Sequence, residues 1–156
     1  MNTVCTEVQV AHVDAFGHVN NARHMEYLEM GRWAFFKSMP QAMQLLQQGL
    51  GMAVIDAHLK FHQAARLGQQ LEIETKLESF QDSRVWLYQQ IRLKDSGEIL
   101  VSAEVLSVCI DTHVHRAINL PDELCQALGR KMAGQEWAEA GVRVGTSKRE
   151  DAGVAA

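Results

Sequence analysis

The chain is poor in the residues that build covalent or metal frameworks. It has three cysteines, Cys5, Cys109 and Cys125, with no C-x-x-C spacing among them. An odd, scattered set excludes a disulfide scaffold or a cysteine zinc site and fits reduced, buried thiols in a cytoplasmic protein. Basic runs are equally scarce, none being longer than Arg130-Lys131 or Lys148-Arg149, and 15 basic against 19 acidic residues leave a net charge of -4. No nucleic acid and no anionic membrane surface is expected as the main partner, whereas a phosphate-bearing small molecule needs only a few local cations. No stretch approaches ~18 consecutive apolar residues, so no membrane span is expected. Met1-Asn2-Thr3-Val4 opens without the basic and then apolar pattern of a leader. No G-x-S-x-G occurs for a serine nucleophile, and each cysteine sits in an apolar strand or helix pattern. His58 with His62 and His113 with His115 lack a third ligand at a recognisable spacing, so no metal is expected.

What is present is enough for one domain. A chain of 156 residues can bury about 70% of its unfolded surface. Residues 4–13 alternate loosely and read as a first strand. Residues 52–63 are β-branched and apolar enough for another. Leu71, Ile73, Thr75 and Leu77 alternate strictly with Glu72, Glu74, Lys76 and Glu78, and after the turn Gln81-Asp82-Ser83 the alternation resumes from Val85 to Lys94. Ile99–Asp111 is apolar on both faces and is expected to be the most central strand. A short strand near 114–119 and a helix from Pro121 to about Met132 follow. The fold class is therefore α+β, with one long helix covered by an antiparallel sheet of about five strands. Residues 1–135 form the domain, and 136–156, with little periodicity, are expected to be a mobile tail.

The long helix begins after a polar hinge, Asp14-Ala15-Phe16-Gly17-His18-Val19-Asn20-Asn21. Asn20 or Asn21 suits the helix cap, because a side-chain carbonyl there accepts an otherwise unpaired backbone N–H. Ala22, Met25, Leu28, Glu29, Arg32, Trp33 and Phe36 share one side of the helix and form its expected buried stripe, with Glu29 inside it. Pro40 stops the helix near Ser38-Met39, and a short second helix, 41–49, ends in glycine. The arrangement sets a carboxylate just ahead of a helix start, where free N–H groups and the positive end of the helix dipole can hold a developing negative charge.

The run Asp14, Gly17, His18, Val19, Asn20, Asn21, Ala22, Tyr27, Leu28, Glu29 and Arg32, written D-x-x-G-H-V-N-N-A-x-x-x-x-Y-L-E-x-x-R, resembles the opening motif of the hotdog-fold acyl-CoA thioesterases related to 4-hydroxybenzoyl-CoA thioesterase. Within that family it is most similar to the FadM-type long-chain acyl-CoA thioesterases, over roughly residues 4–130. The resemblance implies a hotdog fold in homodimers or homotetramers, with active sites at the dimer interface. It implies an acyl-CoA substrate and no cofactor. It also sets the catalytic carboxylate on Asp14 and the carbonyl-polarising amide near Asn21. Two departures bear on the nucleotide site: the chain is not basic after the Gln81-Asp82-Ser83 turn until Arg84, and it has His62-Gln63-Ala64 where many relatives carry an aromatic-Arg-Pro-like run.

A thioester carbonyl is already electrophilic, so its hydrolysis needs a polarising donor, a positioned carboxylate and water. The catalytic candidates are Asp14, Asn21 and His18, and the substrate-binding candidates are Gly17, Asn20, Glu29 and Arg84. A carboxylate is a feeble base at neutral pH, so Asp14 acts either as a nucleophile forming a mixed anhydride or as a base strengthened by burial; both routes stay open here. Glu29 is either a second acid or the buried partner of Arg32, and His18 either orients the hinge or meets the thioester. The bland alternative for Asp14 is a side chain that only bonds turn amides. The expected substrate is a medium- or long-chain fatty acyl-CoA. The alternatives are an aryl-CoA or carrier-protein thioester, or binding of an acyl-CoA without turnover.

Overall fold

The computed structural model describes residues 2–135; the expected C-terminal tail, 136–156, lies outside the described residues. Strand β1 (Asn2–Glu7) ends earlier than its pattern suggested, because the chain turns through a short 3-10 helix, Val10–His12, before the hinge. Helix α1 (Asn21–Lys37) starts where the asparagines set it: the Asn20 side chain accepts the Ala22 N–H at 2.9 Å. Pro40 both ends that helix region and opens α2 (Pro40–Gln47), since its missing N–H costs nothing in a first turn. Then come β2 (Leu50–Phe61), β3 (Gln70–Gln81), β4 (Arg84–Leu93), β5 (Ile99–Asp111), the two-residue β6 (Arg116–Ala117) and α3 (Asp122–Ala133).

All pairings are antiparallel in the order β1-β3-β4-β5-β2, with β6 beside β5. The central strand is therefore β4, and the expectation for β5 is corrected. Its outer row is apolar at both ends but is interrupted by Ser102 and by exposed Glu104, so it needs no cover there. β2, paired on one side only, is an edge.

Helix α1 lies across β1, β3 and β4. Near its start, Tyr27 and Leu28 pack on Leu71, Ile73 and Ile91. Near its end, Phe35 and Phe36 meet Leu77, Val85, Leu87 and Leu128 of α3. Burying each such side chain contributes about 1.5–3 kcal/mol. The two clusters join at Gly31, where an added Cβ would stand 2.6 Å from Ile73 Cγ2. That close approach explains why the buried side is His24, Tyr27, Leu28, Gly31, Phe35 and Phe36 rather than the expected stripe. The helix is turned by roughly a third of a circle from the reading that counted apolar side chains. Glu29 is exposed and Trp33 is 42% exposed, so the helix is open along one side.

Candidate active site

The hinge is a closed loop. Val13 bridges Val19, the Asp14 N–H donates to His18 O at 2.8 Å, and the Gly17 N–H donates to Asp14 O at 3.0 Å. Gly17 has φ +76, a conformation that side chains resist, and nothing crowds the place of its missing Cβ. The loop is moored from outside: Val19 N–H donates to Ala65 O at 2.8 Å, Asn20 N–H to His12 O at 2.9 Å, and His18 bridges Arg66. Local hydrogen bonding and φ shape the loop, and the contacts to Ala65 and Arg66 fix its approach to α1.

Half-buried Asp14 spends one carboxylate oxygen on this loop. Its Oδ1 accepts from Phe16 N–H at 2.9 Å and His18 N–H at 3.3 Å. The bland reading therefore holds for that atom, while Oδ2 takes no hydrogen bond among the described residues. At the helix start, the Ala22 N–H is capped by the Asn20 side chain and the Arg23 N–H donates to Asn20 O at 2.9 Å. The Asn21 N–H has no acceptor among the described residues. The structure thus presents one unspent acidic oxygen and one unspent amide at the two ends of a short, fixed loop.

Asp14, Gly17, His18, Asn20 and Asn21 are brought together. Asn20 is committed to the cap, and half-buried His18 makes no side-chain hydrogen bond among the described residues. Glu29 stands apart, about 12 Å from Asn21 along the helix at 1.5 Å per residue. The expected Glu29–Arg32 bond is absent among the described residues; Arg32 donates to Gln89 Oε1 at 3.1 Å. Gln89 is itself fully buried, donating to Leu28 O and Thr75 Oγ1. Burial pushes the Arg32 pKa down, and the nearby Glu29 charge opposes that shift. Arg84 sits at the β3–β4 turn beside Val85, which packs with Phe35 and Phe36 near the far end of α1, so one chain does not unite it with Asp14.

Two histidines near the hinge, His12 and His24, escaped the sequence reading. His12 Nδ1 faces the Tyr27 hydroxyl at 2.7 Å, and the Gln9 N–H points at the same nitrogen, so Nδ1 accepts and the tyrosine donates. Burial, with Glu26 adding to it, raises the Tyr27 pKa and keeps its proton in place. His24 is buried against the Tyr27 and Phe61 rings, and its Nδ1 has no hydrogen-bond partner among the described residues. Tyr27 belonged to the recognised run, but nothing in the spacing ties His12 to it across the hinge.

A second feature lies further down the open side of α1. A cavity of about 210 Å³ is walled by Trp33 and Phe36 of α1, Met43 and Leu46 of α2, and Met52 and Val54 of β2, with Glu29, Arg32 and Ser107 as polar margins. Of the stripe expected to be core, Glu29, Arg32 and Trp33 line this hollow instead, and Phe36 both lines it and belongs to the core. Asp14 does not line it. Among the described residues, no group of three or more His, Cys, Asp or Glu side chains is placed to hold a metal ion. No helix among them is long and apolar enough to cross a membrane.

Residues 8–128 match the family described as the thioesterase-like superfamily. The long-chain acyl-CoA thioesterase FadM of Escherichia coli is 29% identical over 125 residues, covering 79% of this chain and 95% of that protein. The crystal structure of YbaW, a probable thioesterase from Escherichia coli, superposes with a TM-score of 0.75 at 26% identity, over 85% of this chain and 99% of that one. Slr0204, a 1,4-dihydroxy-2-naphthoyl-CoA thioesterase from Synechocystis, shares the fold with a TM-score of 0.71 at 18% identity, over 82% and 95%.

Proposed function

This chain belongs to the thioesterase-like superfamily as a hotdog-fold thioester hydrolase, and we propose that it cleaves medium- or long-chain fatty acyl-CoA into the free acid and coenzyme A. The observation that carries the reading is that Asp14 Oδ2 and the Asn21 N–H, at the two ends of the hinge loop and the latter at the head of a 17-residue helix, are both without a hydrogen-bond partner among the described residues. The thioester carbonyl accepts from the Asn21 N–H, where the helix dipole favours the negative charge that gathers on oxygen. Asp14 then acts by one of two balanced routes. As nucleophile, its oxygen attacks the acyl carbon and the thiolate of coenzyme A leaves; water opens the resulting anhydride, releasing the acid and restoring the carboxylate. As base, it takes a proton from the water that attacks, and passes it to the departing sulfur.

The similarity to FadM supports a fatty acyl chain, and the apolar walls of the cavity suit one. The reading includes a homodimer, or a tetramer built from such dimers, with β2 edges paired into one sheet and an active site at the interface. In this reading Arg84, at the β3–β4 turn, meets a coenzyme A phosphate across that interface. Unpaired cysteines fit a reducing, cytoplasmic setting.

The test is Asp14→Asn assayed on palmitoyl-CoA. Thiol release is expected to fall by orders of magnitude while binding of the thioester is kept. Unchanged release would remove Asp14 from the mechanism. Across a panel of acyl-CoAs, a preference for 4-hydroxybenzoyl-CoA would overturn the fatty acyl assignment.

A further inference from the structure

We propose that Tyr27 is a positioning residue for thioester cleavage: through its hydroxyl bond to His12 it ties the segment carrying Asp14 to the body of α1, and so fixes where the carboxylate stands relative to the Asn21 amide. The proposal rests on the thioesterase reading, in which those two groups act, and adds what holds them in place.

His12 is where the chain ahead of the hinge meets the helix. It closes the 3-10 turn, its N–H donating to Gln9 O at 3.0 Å. Its carbonyl accepts the Asn20 N–H at 2.9 Å, next to the free Asn21 amide. Its ring Nδ1 accepts from the Tyr27 hydroxyl at 2.7 Å. Asp14 follows just past Val13, whose backbone is extended. One residue thus has its main chain on the helix cap and its side chain on the second turn of α1. Tyr27 lies about 9 Å beyond Asn21 along the helix, at 1.5 Å per residue.

The other bonds of the hinge do not do this. Val19 N–H to Ala65 O and the His18–Arg66 bridge moor it to the loop ahead of β3, away from the helix body. Among the described residues, the Tyr27–His12 pair is the one side-chain hydrogen bond between α1 and residues 8–14. The Tyr27 end of that bond is rigid. Its side chain is 2% exposed and shares a core cluster with Leu28, Leu71 and Ile73. Its ring stands edge-on to His12 at 5.3 Å and to His24 at 6.0 Å, so an imidazole on either side holds the phenol and aims its hydroxyl.

Stability alone does not call for the hydroxyl. A phenylalanine with an apolar partner would fill the same space and leave no polar atom to satisfy, an exchange that is often close to neutral. What the bond adds is direction and distance. A reacting group displaced by about 1 Å can cost on the order of a hundredfold in rate, so a tie between the helix and the segment ahead of Asp14 bears on turnover more than on folding.

The first experiment is steady-state kinetics on palmitoyl-CoA, well below the melting temperature of each folded variant. Tyr27→Phe, which keeps the ring and removes the hydroxyl, is expected to lower kcat about tenfold or more with KM within about twofold. His12→Leu should do the same. His12→Asn, whose side-chain oxygen stands as many bonds from Cα as Nδ1 does, should keep most of the wild-type kcat. The double variant Tyr27→Phe/His12→Leu should be no slower than either single one, since both break one bond. A melting temperature that falls while kcat is unchanged would show a merely structural bond and overturn the proposal, as would a double variant whose loss is the product of the two. The second experiment needs no substrate. In Tyr27→Phe, hydrogen exchange at the Asp14 and Asn20 amides is expected to quicken about tenfold while β3 and β4 keep their wild-type rates. Unchanged exchange at the hinge would show that Tyr27 does not hold it. Wild-type protein that releases no thiol from any acyl-CoA would instead defeat the thioesterase reading, and the exchange rates would still decide what Tyr27 holds.

Discussion

Asp14 and Asn21 were legible in the sequence because both act through the backbone next to them. An aspartate that closes a loop on its own following amides, a glycine at positive φ and an asparagine cap are local devices, although the mooring of the loop to Ala65 and Arg66 is not. Side chains whose partners lie across the fold were not legible. Arg32 looked like the partner of Glu29 one turn away, but it donates to Gln89, 57 residues on. Cys5, expected to be buried with the other thiols, is exposed on β1. His24 is the clearest case, a buried imidazole whose Nδ1 finds no partner among the described residues. Burial alone lowers its pKa below the ordinary value of 6.5. The unfolded histidine then binds a proton that the folded one refuses, so stability rises with pH through that window. The contribution is fully present above the unfolded pKa and is lost as the pH falls below it. Urea unfolding of the wild type at pH 7.5 and 5.5 should therefore show a larger stability loss on acidification than His24→Phe. Equal losses in the two proteins would mean that His24 is not kept neutral by the fold.

Among the elements, the strands were read more accurately than the helix. β3 and β4 alternate with period two, and the alternation maps directly onto burial: Leu71, Ile73, Thr75 and Leu77 are buried, as are Val85, Leu87, Gln89 and Ile91. The face of α1 was misjudged because a hydrophobic count gives glycine no weight, whereas Gly31 decides how the helix docks. Its missing side chain lets the backbone approach until the Leu28 carbonyl accepts from Gln89 Nε2 at 2.9 Å. A Cβ at Gly31 would meet Ile73 Cγ2 at 2.6 Å and both Thr75 Oγ1 and Gln89 Nε2 at 2.9 Å. Gly31→Ala would ordinarily favour a helix by about 1 kcal/mol. Here overpacking, typically 1–3 kcal/mol, is set against that gain and also disturbs the Thr75–Gln89–Arg32 chain. A net loss of stability is expected, up to about 2 kcal/mol by subtraction. A rise in the thermal midpoint would show that the helix shifts away from the sheet at little cost.

For the whole molecule, strand order was the part the sequence withheld. Period-two patterns identify strands without saying which are neighbours, and β5 was expected at the centre because most of its residues are apolar. The observed order sets β2 at the edge, with a register shift between Val54 and Asp56 and Ile55 turned 56% to solvent. A bulge in an isolated edge can discourage pairing. The exposed Val54 and Ile55 act in the other direction, while Asp56 beside them sides with the bulge, so the apolar side chains and the backbone irregularity pull against each other. Ile55→Lys separates the two. A lysine here adds charge to a site already open to water, so the monomer's fold and far-ultraviolet circular dichroism are expected to persist. Two like charges brought near a two-fold axis oppose the pairing of two β2 edges. The mass from light scattering should then fall to half that of the species joined through β2. Hydrolysis of palmitoyl-CoA should fall with it, recovering as protein concentration is raised. A variant that keeps both its mass and its activity would show that β2 is not the joining edge, and that the site is completed through another surface or within one chain.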